Sequence, residues 1–298
     1  MQFSRKFVPP LFAALLWLTP TAALSQSDYN AGLEAWHLKR LEDLKAPNGW
    51  LNLTGLFWLN PGKNSFGSDP SNDIVYADPG FPAHAGTFEL ADGNVNWTTA
   101  EGSTILLQGD PFSKGPLFLP GGTAALQLAT GHYIWNIIKR DDRYGVRFRD
   151  LQSPALLHFT DIERFAVDTT WQISGHLEAA VNKSIFITNV LGQTNAQKSP
   201  GKLVFQIGGK SYSLDALDEG GEDLFIVFGD ATTGETTYPS GRFLYVKKPG
   251  ADGNTIIDFN KAINPPCAFT KYATCPLPPP QNILPIAITA GEKDFGHH

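Results

Sequence analysis

The spacing of apolar positions changes period near residue 50. Between Ser27 or Asp28, either of which can cap a helix, and about Lys45, the residues Tyr29, Leu33, Trp36 and Leu44 recur on one face while Glu34, Lys39 and Glu42 fall away from it. That pattern predicts an amphipathic helix. Pro47-Asn48-Gly49 ends it. From Trp50 onward, short β-branched and aromatic runs are separated by Gly, Asp, Asn and Pro, which is the rhythm of a chain built from strands. The predicted strands cover 53–59, 86–90, 95–98, 104–108, 132–139, 145–149, 171–179, 184–190, 202–207, 211–214, 224–228, 242–246 and 283–288. The pair 202–207 and 211–214 turns at Gly208-Gly209-Lys210 and reads as a hairpin.

These elements predict an all-β fold of two packed β-sandwich or barrel-like lobes with one N-terminal helix. At 298 residues the chain can bury a sizeable core. A boundary falls near 150–154, at Ser153-Pro154, giving an N-terminal lobe of residues 26–150 and a C-terminal lobe of 151–298. Residues 1–25 read as an export signal: Arg5 and Lys6, an apolar run from Leu11 to Leu18, then the small residues of Thr21-Ala22-Ala23-Leu24-Ser25. The apolar run is shorter than the roughly 20 residues a bilayer span needs. The expectation is an exported protein, periplasmic or secreted, with no membrane span. Cleavage after Ser25 moves the formal net charge from −6 to −8, and no Lys/Arg cluster stands out, so the electrostatic footprint of a nucleic-acid binder is missing.

Candidate chemistry concentrates in the last forty or so residues, where prolines forbid both helix interiors and central strands and so call for an ordered loop. Cys267 and Cys275 are the only cysteines and enclose seven residues; in an exported chain they read as a disulfide, with a chain-entropy contribution of about 2 to 3 kcal/mol. A metal reading of the pair needs two further ligands, and in sequence only His297 and His298 lie near. Asp230 follows one apolar strand, Arg242 opens the next, and Tyr238 sits in the turn between them. Asp258, Asn260 and Asn264 lead into the proline-rich loop, and Glu292 follows it.

If Asp230, Asp258 and Glu292 converge, they suit general acid and base roles in hydrolysis of a glycoside or ester, with Arg242 and Tyr238 orienting substrate. The same oxygens suit Ca2+, and no other cofactor is implied. The alternative for Asp230 is an Asx turn onto Thr232 and Thr233, with Arg242 bracing the loop; for the asparagines it is loop scaffolding. The leading reading is binding of a small polar or carbohydrate-like ligand by Tyr238, Arg242, Asn260 and Asn264. A carboxylate-dependent hydrolase and an envelope protein-interaction module are the alternatives, and the sequence names no protein partner. There is no Gly-x-Ser-x-Gly elbow, zinc helix, phosphate loop or dinucleotide fingerprint. Six tryptophans remain after cleavage and read chiefly as core. Arg140-Asp141-Asp142-Arg143, with Arg147, Arg149 and Asp150, reads as a solvated or salt-bridged hairpin end.

Several stretches together carry a resemblance: Gly49 to Leu59, Val146-Arg147-Phe148-Arg149-Asp150, Ser199-Pro200-Gly201, the run from Asp230 through Thr237-Tyr238 to Gly241-Arg242-Phe243-Leu244, and the run from Asp258 through Cys275 to Glu292. They resemble the bacterial domain of unknown function 1684, which implies a shared architecture and a shared polar site but no reaction. A second stretch, from Trp58-Leu59 through Gly67-Ser68-Asp69 and Asn72-Asp73 to His84-x-Gly86, is similar to the opening strands of forkhead-associated sandwiches. Those grip phosphothreonine with an Arg where this chain has Ser68 and a Ser near where it has Pro82, so the resemblance implies the sandwich shape without the phosphate grip.

Overall fold

Strand alternation decides the architecture. A computed structural model describes residues 21–121 and 126–296, with side chains from Gln26 onward. The N-terminal lobe holds β1 (Leu53–Trp58), β2 (Gly62–Gly67), β3 (Ile74–Val75), β4 (Gly86–Ala91), β5 (Asn94–Thr99), β6 (Leu106–Leu107), β7 (Asp110–Pro111), β8 (Lys114–Phe118), β9 (Gln127–Thr130), β10 (Tyr133–Arg140) and β11 (Arg143–Asp150). They form a six-stranded sheet, β1-β11-β10-β9-β6-β7, and a five-stranded sheet, β3-β2-β4-β5-β8. Tyr133, Trp135 and Ile137 of β10 and Tyr144, Val146 and Phe148 of β11 enter one core, met from the other sheet by Phe66, Phe88, Val95 and Trp97. The period of two therefore sends Arg147 and Arg149 to the opposite face of β11.

In the C-terminal lobe come β12 (Gln172–Ala179), β13 (Ser184–Thr188), β14 (Thr194–Lys198), β15 (Gly201–Ile207), β16 (Lys210–Ala216), β17 (Asp223–Phe228), β18 (Arg242–Lys247) and β19 (Asn254–Asp258). The sheet β16-β15-β12-β19 and the antiparallel pair β17-β18 share a second core built on Leu203, Phe205, Leu214, Ile226, Phe228, Leu244, Ile257 and Phe259. The predicted hairpin is present, and Gly208 and Gly209 take φ of 57° and 75°, where a side chain would strain the backbone.

The expected all-β class with one N-terminal helix holds, and three local expectations need correcting. The helix α1 (Thr21–Lys45) begins upstream of Ser27 and Asp28, so neither caps it; Thr21 to Leu24 supply no breaker that would delay helix onset. Residues 283–288 do not form a strand, because Pro285 removes the donor a ladder needs there; Leu284 makes one backbone bond to Gly229. Residues 104–108 shrink to the two-residue β6. The strands β2, β3, β7, β8, β9, β14 and β19 were not expected: β3 and β7 are two residues long, β2 is polar and Gly-ended, all of β14 is exposed, and β8, β9 and β19 are four or five residues long, so none shows a long apolar alternation. A short helix, α2 (Pro154–His158), capped by Ser153, follows β11 at the expected lobe boundary.

Sequence order groups α1 with the first lobe, yet apart from Leu51 the partners of its side chains named below lie between residues 161 and 292. Leu44 packs with Leu51, Ile162, Ala268 and Phe269. Polar anchors run along the same side: Tyr29 to Asp258, Glu34 to Arg164, His37 to Asp161 and Arg40 to Glu292. At its end, the Gly49 N–H donates to the Ala46 carbonyl, and a Cβ at Gly49 would overlap the Leu44 carbonyl oxygen. This tight exit places Trp50 at the seam between the lobes. The proposed leader lies outside the described residues apart from 21–25, whose backbone is the first turn of α1.

Candidate functional site

The predicted polar residues do gather, in two networks that face inward. Arg242 opens β18 and is fully buried, and its Nη2 donates to Asp230 Oδ2 at 2.8 Å with both side chains 0% exposed. The same guanidinium donates to the carbonyls of Ile288, Ala290 and Glu292, so the chain that follows the proline-rich loop wraps around it. Asp230 Oδ1 accepts from the Thr232 amide, the Thr232 hydroxyl and the Ile288 amide. Burial pulls the Arg242 guanidinium below its ordinary range, and the Asp230 carboxylate beside it pulls back. With every oxygen of Asp230 occupied and no side-chain surface exposed, the pair braces the loop and leaves nothing for a substrate.

Glu292 extends this network by a different route. Its Oε2 accepts from the Asn264 amide at 2.6 Å and its Oε1 from Arg40 Nε at 3.2 Å, while Arg40 Nη2 donates to the Asn264 carbonyl. Asn264 Nδ2 donates to the Lys293 carbonyl, and its Oδ1 is buried without a partner. Asp258 belongs to a separate cluster: it caps the turn Phe259–Lys261 by accepting from the Asn260 amide, and it accepts from the Tyr29 hydroxyl at 3.0 Å. Asn260 is spent on the backbone of Asp168. Tyr238 lies half-buried elsewhere, beside Phe269 and Phe295. The three candidate carboxylates thus serve three different sets of partners. Among the described residues no cluster of His, Cys, Asp or Glu is placed to hold a metal ion.

The expected disulfide is not formed in this structure: Cys267 and Cys275 are free thiols held side by side, the Cys267 N–H donating to Cys275 Sγ at 3.1 Å. The neighbouring sulfur lowers the Cys267 thiol and raises that of Cys275.

An open site lies instead at the seam. One hollow of about 330 Å3 is bounded by Trp36, Arg40, Trp50, Phe243, Tyr245, Asn264 and Pro266. An adjoining one of about 280 Å3 shares Trp50, Phe243, Tyr245 and Pro266 and adds Arg140, Arg147, Glu219, Thr274 and Cys275. Tyr245 is half exposed and stacks on Phe225 with ring centroids 5.1 Å apart. A further hollow of about 610 Å3 on the outer face of β12 and β15 is shallow and ringed by Gln172, Ser174, His176, Gln206 and Asn254, with no convergent charge.

The outward face of β10 and β11 lines the seam with arginines that lack acidic partners. The Arg143 guanidinium lies 4.1 Å from the Trp58 ring centre, and those of Arg147 and Arg149 lie 5.3 and 6.0 Å from that of Trp50. Arg149 is secured by the Gly49 carbonyl and by Asn52 Oδ1. Arg140 donates to Thr274 Oγ1 at 3.3 Å and to the Lys139 carbonyl. The Arg147 side chain makes no hydrogen bond within the described residues, and its Nε is buried without a partner. Burial pulls the Arg147 guanidinium to about 10, and the charge of Arg140 adds to the effect. The alternating charges at 140–143 form no ion pair: Asp141 accepts from Asn195, and Arg143 stacks on Trp58. Sequence reading missed this site because it took the hairpin charges as solvated or salt-bridged and the tryptophans as core. The available signal was that Arg147 and Arg149 alternate with core-facing Val146 and Phe148, which forces two guanidinium groups onto one sheet face.

Fold and site together define a two-lobed all-β protein with a braced C-terminal loop and an aromatic, arginine-lined seam. Residues 157–293, a little under half of the chain, match the model of a family described as a protein of unknown function, DUF1684, the family the sequence resembles. The segments 49–59 and 146–150, which supply Trp50 and Arg147, lie outside the match. Similar solved structures include an uncharacterized protein of Haloarcula marismortui solved by solution NMR, 28% identical over 49% of this chain and 83% of that one, at a TM-score of 0.41. A phosphothreonine-dependent FHA domain is 12% identical over 32% of this chain and 92% of its own, at a TM-score of 0.23. The cytoplasmic domain of the type III secretion sorting-platform protein PscD from P. aeruginosa is 22% identical over 37% and 81%, at 0.21. No curated protein matches.

Proposed function

We propose that this is an exported protein that binds a small polar or carbohydrate-like ligand, and that the ligand lies in the seam rather than at the buried polar network. The observation that carries the reading is a pair of adjoining concave hollows of about 330 and 280 Å3, each walled by Trp50 and Tyr245. Volumes near 300 Å3 are at the small end of ligand sites and suit a single ring. An exposed aromatic face offers such a ring a large rigid surface with a polar edge. The buried network supports the site from behind: Asn264 belongs to that network and also lines the first hollow. Asp230, Asp258 and Glu292 each bond to a different set of partners, which favours ligand binding over the hydrolase alternative. The export signal at 1–25 supports action in an oxidising compartment, where the two adjacent thiols would close into a disulfide.

The test is a thermal-shift titration with glucose, N-acetylglucosamine, glucuronate and benzoate on the wild type and on Tyr245→Ala. Tyr245 is half exposed, so its removal leaves the fold standing. The expected result is a midpoint that rises with at least one compound and rises less in the variant. No shift with any of them, or equal shifts in both proteins, would overturn the reading.

A further inference from the structure

Arg147 is costly as it stands. The residue is partly buried with its Nε fully so, its side chain has neither a hydrogen bond nor a carboxylate within ion-pair distance among the described residues and only the Trp50 ring beside it, and Arg140 adds a second positive charge to the same hollow. The other buried guanidinium groups nearby have partners within the chain: Arg40 has Glu292, Arg149 has the Gly49 carbonyl and Asn52, and Arg242, whose Nε is likewise unpartnered, has Asp230 and three backbone carbonyls. A buried charge without a partner disfavours folding, so one retained beside an open hollow is best explained by a partner that arrives from outside.

We infer that the seam ligand is a ring-bearing carboxylate, its anion held by Arg147 and Arg140 and its ring resting against Trp50 and Tyr245. The inference rests on the seam reading above and names the ligand class. Guanidinium groups match carboxylates with paired, charge-assisted hydrogen bonds, and the Thr274 hydroxyl, already bonded to Arg140, lies in the same hollow to take a third contact. A monoanion fits better than a phosphate dianion, because the exposed Glu219 also lines the hollow and repels the second negative charge. A hollow of about 280 Å3 accommodates one ring with its acid group.

The experiment is isothermal titration with two matched pairs, glucuronate against glucose and benzoate against benzyl alcohol, and with inorganic phosphate. It is run on the wild type, Arg147→Gln and Arg140→Gln, with the unfolding midpoint of each unliganded protein measured alongside. One acid is expected to bind about ten-fold or more tighter than its neutral partner, and Arg147→Gln to lose that preference. The pair that shows the preference tells a sugar acid from an aromatic acid. The unliganded Arg147→Gln protein is expected to unfold at the same temperature or higher, since an uncompensated charge has gone; a merely structural arginine would give the reverse. Acid binding indifferent to Arg147→Gln, phosphate binding tighter than both acids, or a marked loss of stability in the unliganded variant would each overturn the inference. Glucose binding equal to glucuronate overturns it while leaving the seam reading intact. No binding by any compound overturns both.

Discussion

Replacing Asp230 by Ala separates a brace from an active site. The substitution leaves Arg242 charged and 0% exposed, with its Nη2 holding only the Ile288 carbonyl, and it strips an acceptor from the Thr232 and Ile288 amides. Removing one partner of a buried pair costs about 3 to 5 kcal/mol, because the remaining charge stays out of water. For a cooperative unit of roughly 150 to 250 residues, that corresponds to a fall in melting temperature of roughly 6 to 20 °C. Asp230→Asn should cost less, since an amide oxygen can still accept from Thr232 and Ile288. The double variant Asp230→Leu with Arg242→Met should recover much of the loss, because a well-packed apolar pair removes the desolvation penalty altogether. Urea unfolding followed by tryptophan fluorescence gives the free energies. An Asp230→Ala protein within about 1 kcal/mol of the wild type would refute the brace. So would a variant of full stability that had lost ligand binding.

Two further outcomes follow from the anchors of α1 and the loop. Burial and the Asp258 carboxylate raise the Tyr29 phenol above its ordinary value, so the folded state holds that proton after the unfolded chain has released it. The stability it contributes is complete below the usual phenol pKa of about 10 and is lost as pH rises through the higher folded value; Tyr29→Phe should therefore flatten alkaline destabilisation in urea titrations above pH 10 or so. An unchanged slope would show that the phenol does not carry it. For the cysteines, the proposed export predicts that intact-mass analysis of protein recovered from outside the cytoplasm finds residues 1–25 removed and Cys267 joined to Cys275. Reduction should then lower stability by about 2 to 3 kcal/mol. Two thiols freely alkylated in denaturant, without prior reductant, would count against closure.

Much of the fold was legible in local sequence. The period-two runs located β1, β4, β5, β10 to β13 and β15 to β18 to within a few residues, since each carries β-branched or aromatic side chains bounded by turn residues. The polar β2 and the exposed β14 gave no such signal. Pro285 makes the failure at 283–288 instructive: the apolar composition suggested a strand, but a ladder cannot form through a residue without an N–H.

The sequence by itself determined an all-β chain behind one amphipathic helix, and the proximity of Asp230 and Arg242, because a hairpin turn brings its flanking residues together whatever surrounds it. Only tertiary structure decided which polar groups are closed and which are open. Whether a guanidinium is a brace or a grip depends on what packs against it, and those partners are distant in the chain: Ile288 and Ala290 for Arg242, Gly49 for Arg149, Thr274 for Arg140. For Arg147 no hydrogen-bonding or acidic partner arrives among the described residues, and that follows from lobe packing, which no local spacing encodes.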